Sequence, residues 1–138
     1  MLDSGVVYAY YDRDDDWHPG SRGPLDAEPG PLALPAVVLP EVDHLLGTRI
    51  GLAAQRALYE DVVEQVYLVV DLDTAGYRGI QELNHRYPDL GLGFVDAAVV
   101  AICERMQVRT LATTDRRHFP AISKDVALKL VPEPPHPS

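Results

Sequence analysis

The chain is short of several things at once. Its 138 residues hold one cysteine, one tryptophan, two phenylalanines and two methionines. A lone cysteine, Cys103, closes no internal disulfide, which fits a reducing compartment. The neighbouring Val99-Val100-Ala101-Ile102 reads as a buried helix face, where a thiol serves as a small hydrophobe. No stretch approaches the eighteen or so apolar residues of a membrane span, and no basic-plus-apolar leader opens the chain. No membrane association is expected, and the cytoplasm is the expected location. Positive charge is scarce too, with 12 basic against 21 acidic residues and a net charge of −9. That balance argues against a surface that grips nucleic acid by broad phosphate neutralisation. Any nucleic-acid substrate must be held locally.

What is present describes an ordinary globular domain, 46% hydrophobic and 24% charged. The length suits one domain with a core that needs no staples. We place that domain at residues 1–131. Four of the seven residues from 132 to 138 are proline, and this segment reads as a Pro-rich tail too polar to pack.

Met1-Leu2-Asp3 reads as a very short strand ending at Asp3, followed by a helix from Ser4-Gly5 through Tyr11. Asp12 to Gly20 is a turn-rich acidic loop, and Ser21 to Glu28 a short helix. Leu32 to Leu34 is a brief strand ending before Pro35. Val38, Val42, Leu45 and Leu46 mark a helix from Ala36, with Pro40 tolerable only in a first turn. A helix follows from Gly51 through Val62, then a strand at Tyr67 to Asp71. Asp73 or Thr74 caps a helix to about Arg86, which Pro88 prevents from continuing. Gly91 to Asp96 leads into a helix ending near Met106. Strands are expected at Thr110 to Thr113 and at Val126 to Val131. Strands alternating with helices predict an α/β fold, a mostly parallel sheet with helices on both faces.

In open sheets of this kind, ligands bind in the crevice outside the carboxyl ends of the strands. Four acids fall there: Asp3 and Asp115 at strand ends, Glu41 and Asp96 in early helical turns. Converging carboxylates repel and raise one another's pKa unless a cation neutralises them. Oxygen ligands of this kind suit Mg²⁺ or Mn²⁺. Two such metals can activate a water and clamp both oxygens of an in-line displacement at phosphorus. Ser4, Thr113 and Thr114 stand beside the outer two acids and could hydrogen-bond them or their waters. Taken singly, each acid reads more readily as a solvated turn residue or as a partner of the helix dipole, and spacing alone leaves the foursome evenly balanced between that and a shared site.

The block Leu92-Gly-Phe-Val-Asp-Ala-Ala-Val-Val-Ala-Ile-Cys-Glu-Arg105, followed by Thr110-Leu-Ala-Thr-Thr-Asp-Arg-Arg-His-Phe119, resembles the C-terminal half of a PIN-domain ribonuclease. It is most similar to the VapC-type toxins of bacterial toxin–antitoxin pairs. Leu2-Asp3-Ser4 and Pro40-Glu41-Val42 match that family's first two acidic motifs, and the acidic stretch Asp14 to His18 resembles a loop after its first helix. The resemblance runs in order over nearly the whole chain. It implies a PIN-like three-layer α/β/α fold and an endoribonuclease dependent on Mg²⁺ (or Mn²⁺). It also implies Asp3, Glu41, Asp96 and Asp115 as the catalytic, metal-binding quartet, with Thr113 as the family's hydroxyl residue. A small VapB-like antitoxin and a homodimer are the implied partners, with RNA as substrate.

Other residues can be weighed beside these. Arg116, Arg117 and His118 follow Asp115 and could form the local basic patch for RNA phosphates. His44 shares a helix face with Glu41 but is expected to serve the surface, since oxygen-rich Mg²⁺ sites seldom use imidazole. Asp14, Asp15 and Asp16 read as a solvated run, Trp17 as an edge or interface residue, and Asp71 and Asp73 as strand-end and capping residues. Three other functions remain open at this level: a catalytically silent PIN-like binding module, a free-standing PIN nuclease without an antitoxin, and a nuclease acting on DNA.

Overall fold

A computed structural model describes residues 1–27, 29–123, 125–132 and 135. The tail from 132 to 138 therefore lies, apart from Pro132 and Pro135, outside the described residues. The helices are α1 (Ser4–Tyr11), α2 (His18–Ala27), α3 (Leu39–Arg49), α4 (Leu52–Val63), α5 (Thr74–Arg86), α6 (Phe94–Met106) and α7 (Phe119–Ser123). The strands are β1 (Leu32–Pro35), β2 (Tyr67–Val70), β3 (Thr110–Ala112) and β4 (Lys129–Val131).

Two parallel ladders form, β1 with β2 from Leu32↔Tyr67 to Pro35↔Val70, and β3 with β4 from Thr110↔Lys129 to Ala112↔Val131. The first three residues of the chain join them. The Leu2 amide donates to the Ala33 carbonyl at 2.9 Å, on the β1 side. On the β3 side the Ala112 amide donates to Met1 O at 2.8 Å, and the Asp3 amide to Ala112 O at 2.9 Å. The spatial order is therefore β2, β1, residues 1–3, β3, β4. The amino-terminal segment is central because its backbone donors and acceptors are used on both sides, and a buried backbone must satisfy them. It also brings Asp3 to the middle of the sheet.

The core gathers Leu2, Val6, Val7, Leu34, Val38, Val42, Leu46, Leu58, Leu111, Phe119 and Ile122, all almost wholly buried. In α6 the run Ala97 to Cys103 is buried without interruption, as in a helix covered all round rather than along one stripe. Its small residues let α5 come close: a Cβ on Gly79 would stand 2.9 Å from that of Ala101. Buried Cys103 has its thiol pushed up to about 11 by that burial, the inert role expected of it. No helix among the described residues is long and apolar enough to cross a membrane.

Several boundaries depart from the sequence expectation. The helix expected from Ser21 begins at His18, three residues earlier. Asp15 accounts for this: its carboxylate accepts from the Trp17 amide at 2.8 Å and its carbonyl from the His18 amide at 2.9 Å, closing the acidic loop early. Pro35 belongs to β1 rather than following it. The helix expected from Ala36 divides into a 3₁₀ turn, Ala36–Val38, and α3. Pro40 thereby falls in the first turn of α3, the one place where a missing amide costs no helical bond. The last strand starts at Lys129, not Val126, because Ala127 sits at φ 55°, outside extended geometry. Helix α7 carries no signal beyond its core anchors Phe119 and Ile122, since five residues give too little periodicity to read.

Candidate metal centre

Asp3 stands at the N-cap position of α1 with extended backbone, φ −99° and ψ 165°. That conformation follows from its place at the end of the extended segment, residues 1–3, that bridges β1 and β3. Its side chain is 5% exposed. The Thr113 hydroxyl, itself fully buried, donates to Asp3 Oδ2 at 2.7 Å and accepts from the Asp115 amide at 3.0 Å. One hydroxyl thus fixes the first of the four acids to the last of them. Asp3 Oδ1 is buried and has no hydrogen-bond partner among the described residues. Burial, above all, pushes the Asp3 carboxyl up to about 6. Thr113 and the Ser4 amide pull it down, while the charges of Asp96 and Glu41 push it further up.

Asp96 and Glu41 occupy the same local position, the third residue of a helix, in α6 and α3 respectively. A carboxylate there faces the unpaired amides of the first turn and the positive end of the dipole. Asp96 is half-buried, and its carboxyl is raised by that burial first, then by the charges of Asp115 and Glu41. Glu41 is exposed and meets the group through its charge.

Asp115 lies just past β3, in a turn it builds itself. Its Oδ1 accepts from the amides of Arg117 at 2.7 Å and His118 at 3.0 Å. Partial burial opposes ionisation most strongly, yet these two amides and the His118 ring together outweigh it and hold the carboxyl below the usual range. His118 Nδ1 lies 3.0 Å from Asp115 Oδ2 and 3.8 Å from Asp96 Oδ2. Asp96, Asp115 and His118 each offer a ligand atom, all within 4.8 Å of one another.

The fold gathers Asp96 and Asp115 with His118, ties Asp3 to the Asp115 turn through Thr113, and connects exposed Glu41 by charge alone. Asp3 feels Asp96 and Glu41; Asp96 feels Asp115 and Glu41. The donor set fits a hard divalent cation on its own chemistry. A buried carboxylate oxygen without a donor is unfavourable unless a proton or cation meets it, and anionic oxygens with room for water suit Mg²⁺ or Mn²⁺.

The neighbouring residues sort differently from one another. The Ser4 amide, next in the chain, favours the ionised form of Asp3. Thr114 packs on the start of α1, where a Cβ on Gly5 would fall 2.0 Å from Thr114 Oγ1. Glycine at position 5 thus lets the Asp115 loop close over the first turn. Arg116 turns away from the acids: its guanidinium donates to the Pro132 carbonyl and lies over the Trp17 ring, 5.5 Å from the centroid. Arg117 is exposed, with its side chain toward solvent and its amide on Asp115. Asp73 caps α5 by accepting from the Gly76 amide at 2.9 Å and pairs with Arg105 at 2.6 Å. His44 is exposed. His118 enters the acidic group, whereas the sequence suggested only a phosphate contact. The available signal was its spacing: three residues after a turn-forming aspartate, a ring can return to that aspartate's side chain.

No family model matches the chain. The curated protein Ribonuclease VapC26 of Mycobacterium tuberculosis is 28% identical over 122 residues, covering 88% of this chain and 90% of that protein. Among solved structures, Mycobacterium tuberculosis VapC20, described as a sarcin–ricin loop cleaving toxin, matches with a TM-score of 0.77. The identity there is 21%, over 87% of this chain and 92% of that one. At that identity the structural match speaks for the fold, which is PIN-like α/β/α. The two findings together bear out the resemblance to VapC-type PIN-domain proteins.

Proposed function

We propose that this chain is a Mg²⁺- or Mn²⁺-dependent endoribonuclease, acting as the toxin of a two-protein toxin–antitoxin pair. One observation carries the reading: the buried, unpartnered Asp3 Oδ1 sits in a group of charges with Glu41, Asp96 and Asp115. A fold that only needed structural acids has no reason to place one 5% exposed at its sheet centre. The name of the relative VapC26, a ribonuclease, supports the substrate class.

A divalent ion held by these residues would supply Lewis-acid charge at a phosphodiester and a water of lowered pKa. Asp3, Asp96 and Asp115 would be its principal holders, with exposed Glu41 completing the set from α3. Thr113 would keep Asp3 and Asp115 in fixed relation, an outer contact of the kind that orients metal ligands. His118 Nδ1 would hold Asp96 and Asp115 toward one another when no ion does.

The net charge of −9 leaves RNA to be gripped near the site, and Arg117 is the exposed cation beside Asp115. Arg116 has a different task, since Pro132 and Trp17 already occupy its guanidinium. A small VapB-like antitoxin would inhibit by covering the acidic crevice, and the active form would be a homodimer. The test is cleavage of RNA by the purified chain with Mg²⁺ or Mn²⁺. Cleavage that persists in EDTA, or in a folded Asp96→Asn variant, would overturn the mechanism.

A further inference from the structure

Helix α4 has an outer face that is complementary to itself. Its inner side packs on the core through buried Ala54 and Leu58. On the opposite side Leu52, Arg56, Tyr59 and Val63 stand four, three and four residues apart, the spacing of a single stripe along a helix. All four are exposed, Leu52 by 56%, Tyr59 by 48% and Val63 by 77%. The outer face of a surface helix ordinarily carries polar residues instead. Ile50 and Val66, just outside the two ends of the helix, are exposed as well. The Tyr59 ring is held in place, because its hydroxyl donates to Asp43 Oδ1, to which the Gln55 amide also donates at 3.1 Å.

What covers this stripe follows from its order. Apolar residues hold both ends, and the ions lie between them. Arg56 and Glu60 are one turn apart on the exposed side, and neither forms an ion pair among the described residues. A two-fold axis at the level of Ala57 and Leu58 would run two copies of α4 antiparallel. It sets Leu52 against the partner's Val63, and Ile50 toward the partner's Val66. It also sets Arg56 against the partner's Glu60, beside the partner's Tyr59, and symmetry repeats each pair. A surface that meets itself residue for residue in this way is what an isologous contact requires. Copies of a chain with net charge −9 repel one another, whereas on this stripe one cation and one anion cancel and pair across the axis. We propose that the outer face of α4 is a two-fold homodimer surface, closed at its ends by Leu52 with Val63 and fixed in register by Arg56 with Glu60. It gives a surface to the homodimer named above and does not rest on the ribonuclease reading, since α4 carries none of the four acids.

The experiment is sedimentation equilibrium of the full chain at micromolar concentrations, where the wild type should be a dimer. Leu52→Ser with Val63→Ser should raise the dissociation constant about 100-fold or more, since each interface loses both apolar ends. Arg56→Glu should raise it about 10- to 100-fold, because like charges then face each other twice, and Glu60→Arg should do the same. The two reversals combined, Arg56→Glu with Glu60→Arg, should return it to within about threefold of the wild type. All these side chains are exposed, so the circular dichroism spectrum should stay unchanged throughout. A dimer indifferent to Leu52→Ser with Val63→Ser forms elsewhere, which overturns the proposal and leaves the homodimer standing. Single reversals without effect, or a double reversal as weak as either one, overturn the register and with it the proposal. A wild type that stays monomeric overturns both the surface and the homodimer, and leaves the stripe to a different protein.

Discussion

Replacing Asp3 by asparagine should make the metal-free protein more stable at neutral pH, and the size of the gain follows from where the carboxylate sits. The group is 5% exposed, and its carboxyl is raised from 3.8 to about 6, chiefly by burial. The folded state therefore holds the proton more tightly than the unfolded chain does. Its stabilising contribution is complete below pH 3.8, declines as pH rises, and is gone once pH has passed about 6. The span between the two values corresponds to about 3 kcal/mol at neutral pH, using about 1.4 kcal/mol per tenfold change in proton affinity. Roughly a third of that is already lost at about pH 4.5, so about 2 kcal/mol should develop between there and about pH 7.5. Asparagine is the same size, stays neutral, and its carbonyl oxygen can accept from Thr113 as Oδ2 does. Any fixed disadvantage of a buried amide cancels when one variant is compared with itself at two pH values. The assay is urea denaturation of both proteins in EDTA across that pH range. The difference in stability, variant minus wild type, should grow by about 2 kcal/mol toward high pH. A difference that is flat, or that grows toward low pH, would refute the idea that Asp3 is a buried, cation-seeking carboxylate. Adding Mg²⁺ or Mn²⁺ at neutral pH should close the gap, because an ion bound only by the folded wild type stabilises it by about 2.7 kcal/mol at a hundred times its dissociation constant.

Other substitutions test the same construction. Thr113→Val removes the hydroxyl that joins Asp3 to the Asp115 amide, and should lower stability by about 1–3 kcal/mol and metal affinity by about 10- to 100-fold. Denaturation and calorimetric titration of Mn²⁺ measure the two separately. Gly5→Ala sets a methyl against Thr114 Oγ1 and should cost about 1–3 kcal/mol in thermal unfolding, part of it recovered in combination with Thr114→Ala. Asp96→Asn should abolish metal-dependent cleavage of RNA with the circular dichroism spectrum unchanged. Arg117→Ala should weaken RNA binding about equally across sequences and flatten its salt dependence. Arg116→Ala, whose guanidinium is tied to Pro132 and Trp17, should act mainly through thermal stability.

The secondary elements were largely legible, for a physical reason that differs from place to place. Helix α5 announces itself by a capping aspartate, Asp73, and by Pro88 beyond its end, both local devices. Helix α6 is legible from its apolar run, and the parallel sheet from strands alternating with helices. The acids stood out as an ordered set only through the family resemblance, because their spacing from strand ends and helix starts fits caps and turns as well. The start of α2 and the short β4 were not legible, since a loop carboxylate and a single left-handed residue, Ala127, decide them. Which of the residues after Asp115 faces the acids was marked only by the three-residue spacing of His118 from that aspartate. Arg116, Arg117 and His118 look alike as a basic run, and only the turn made by the Asp115 carboxylate sends the ring inward and the two guanidinium groups elsewhere.

By itself the sequence determined the kind of chain: an α/β fold, acidic overall, with a lone cysteine and four carboxylates near the ends of its elements. Residue chemistry and spacing act locally, and they suffice for that. The tertiary structure decided that Asp3 is buried at the sheet centre, with one oxygen on Thr113 and the other unpartnered, and that it shares a charge group with Asp96 and Glu41. Thr113 and Asp3 are 110 positions apart in the chain, and no local rule reaches that far. The pairing exists because the first three residues fill the gap between β1 and β3, where backbone hydrogen bonding leaves them no other place.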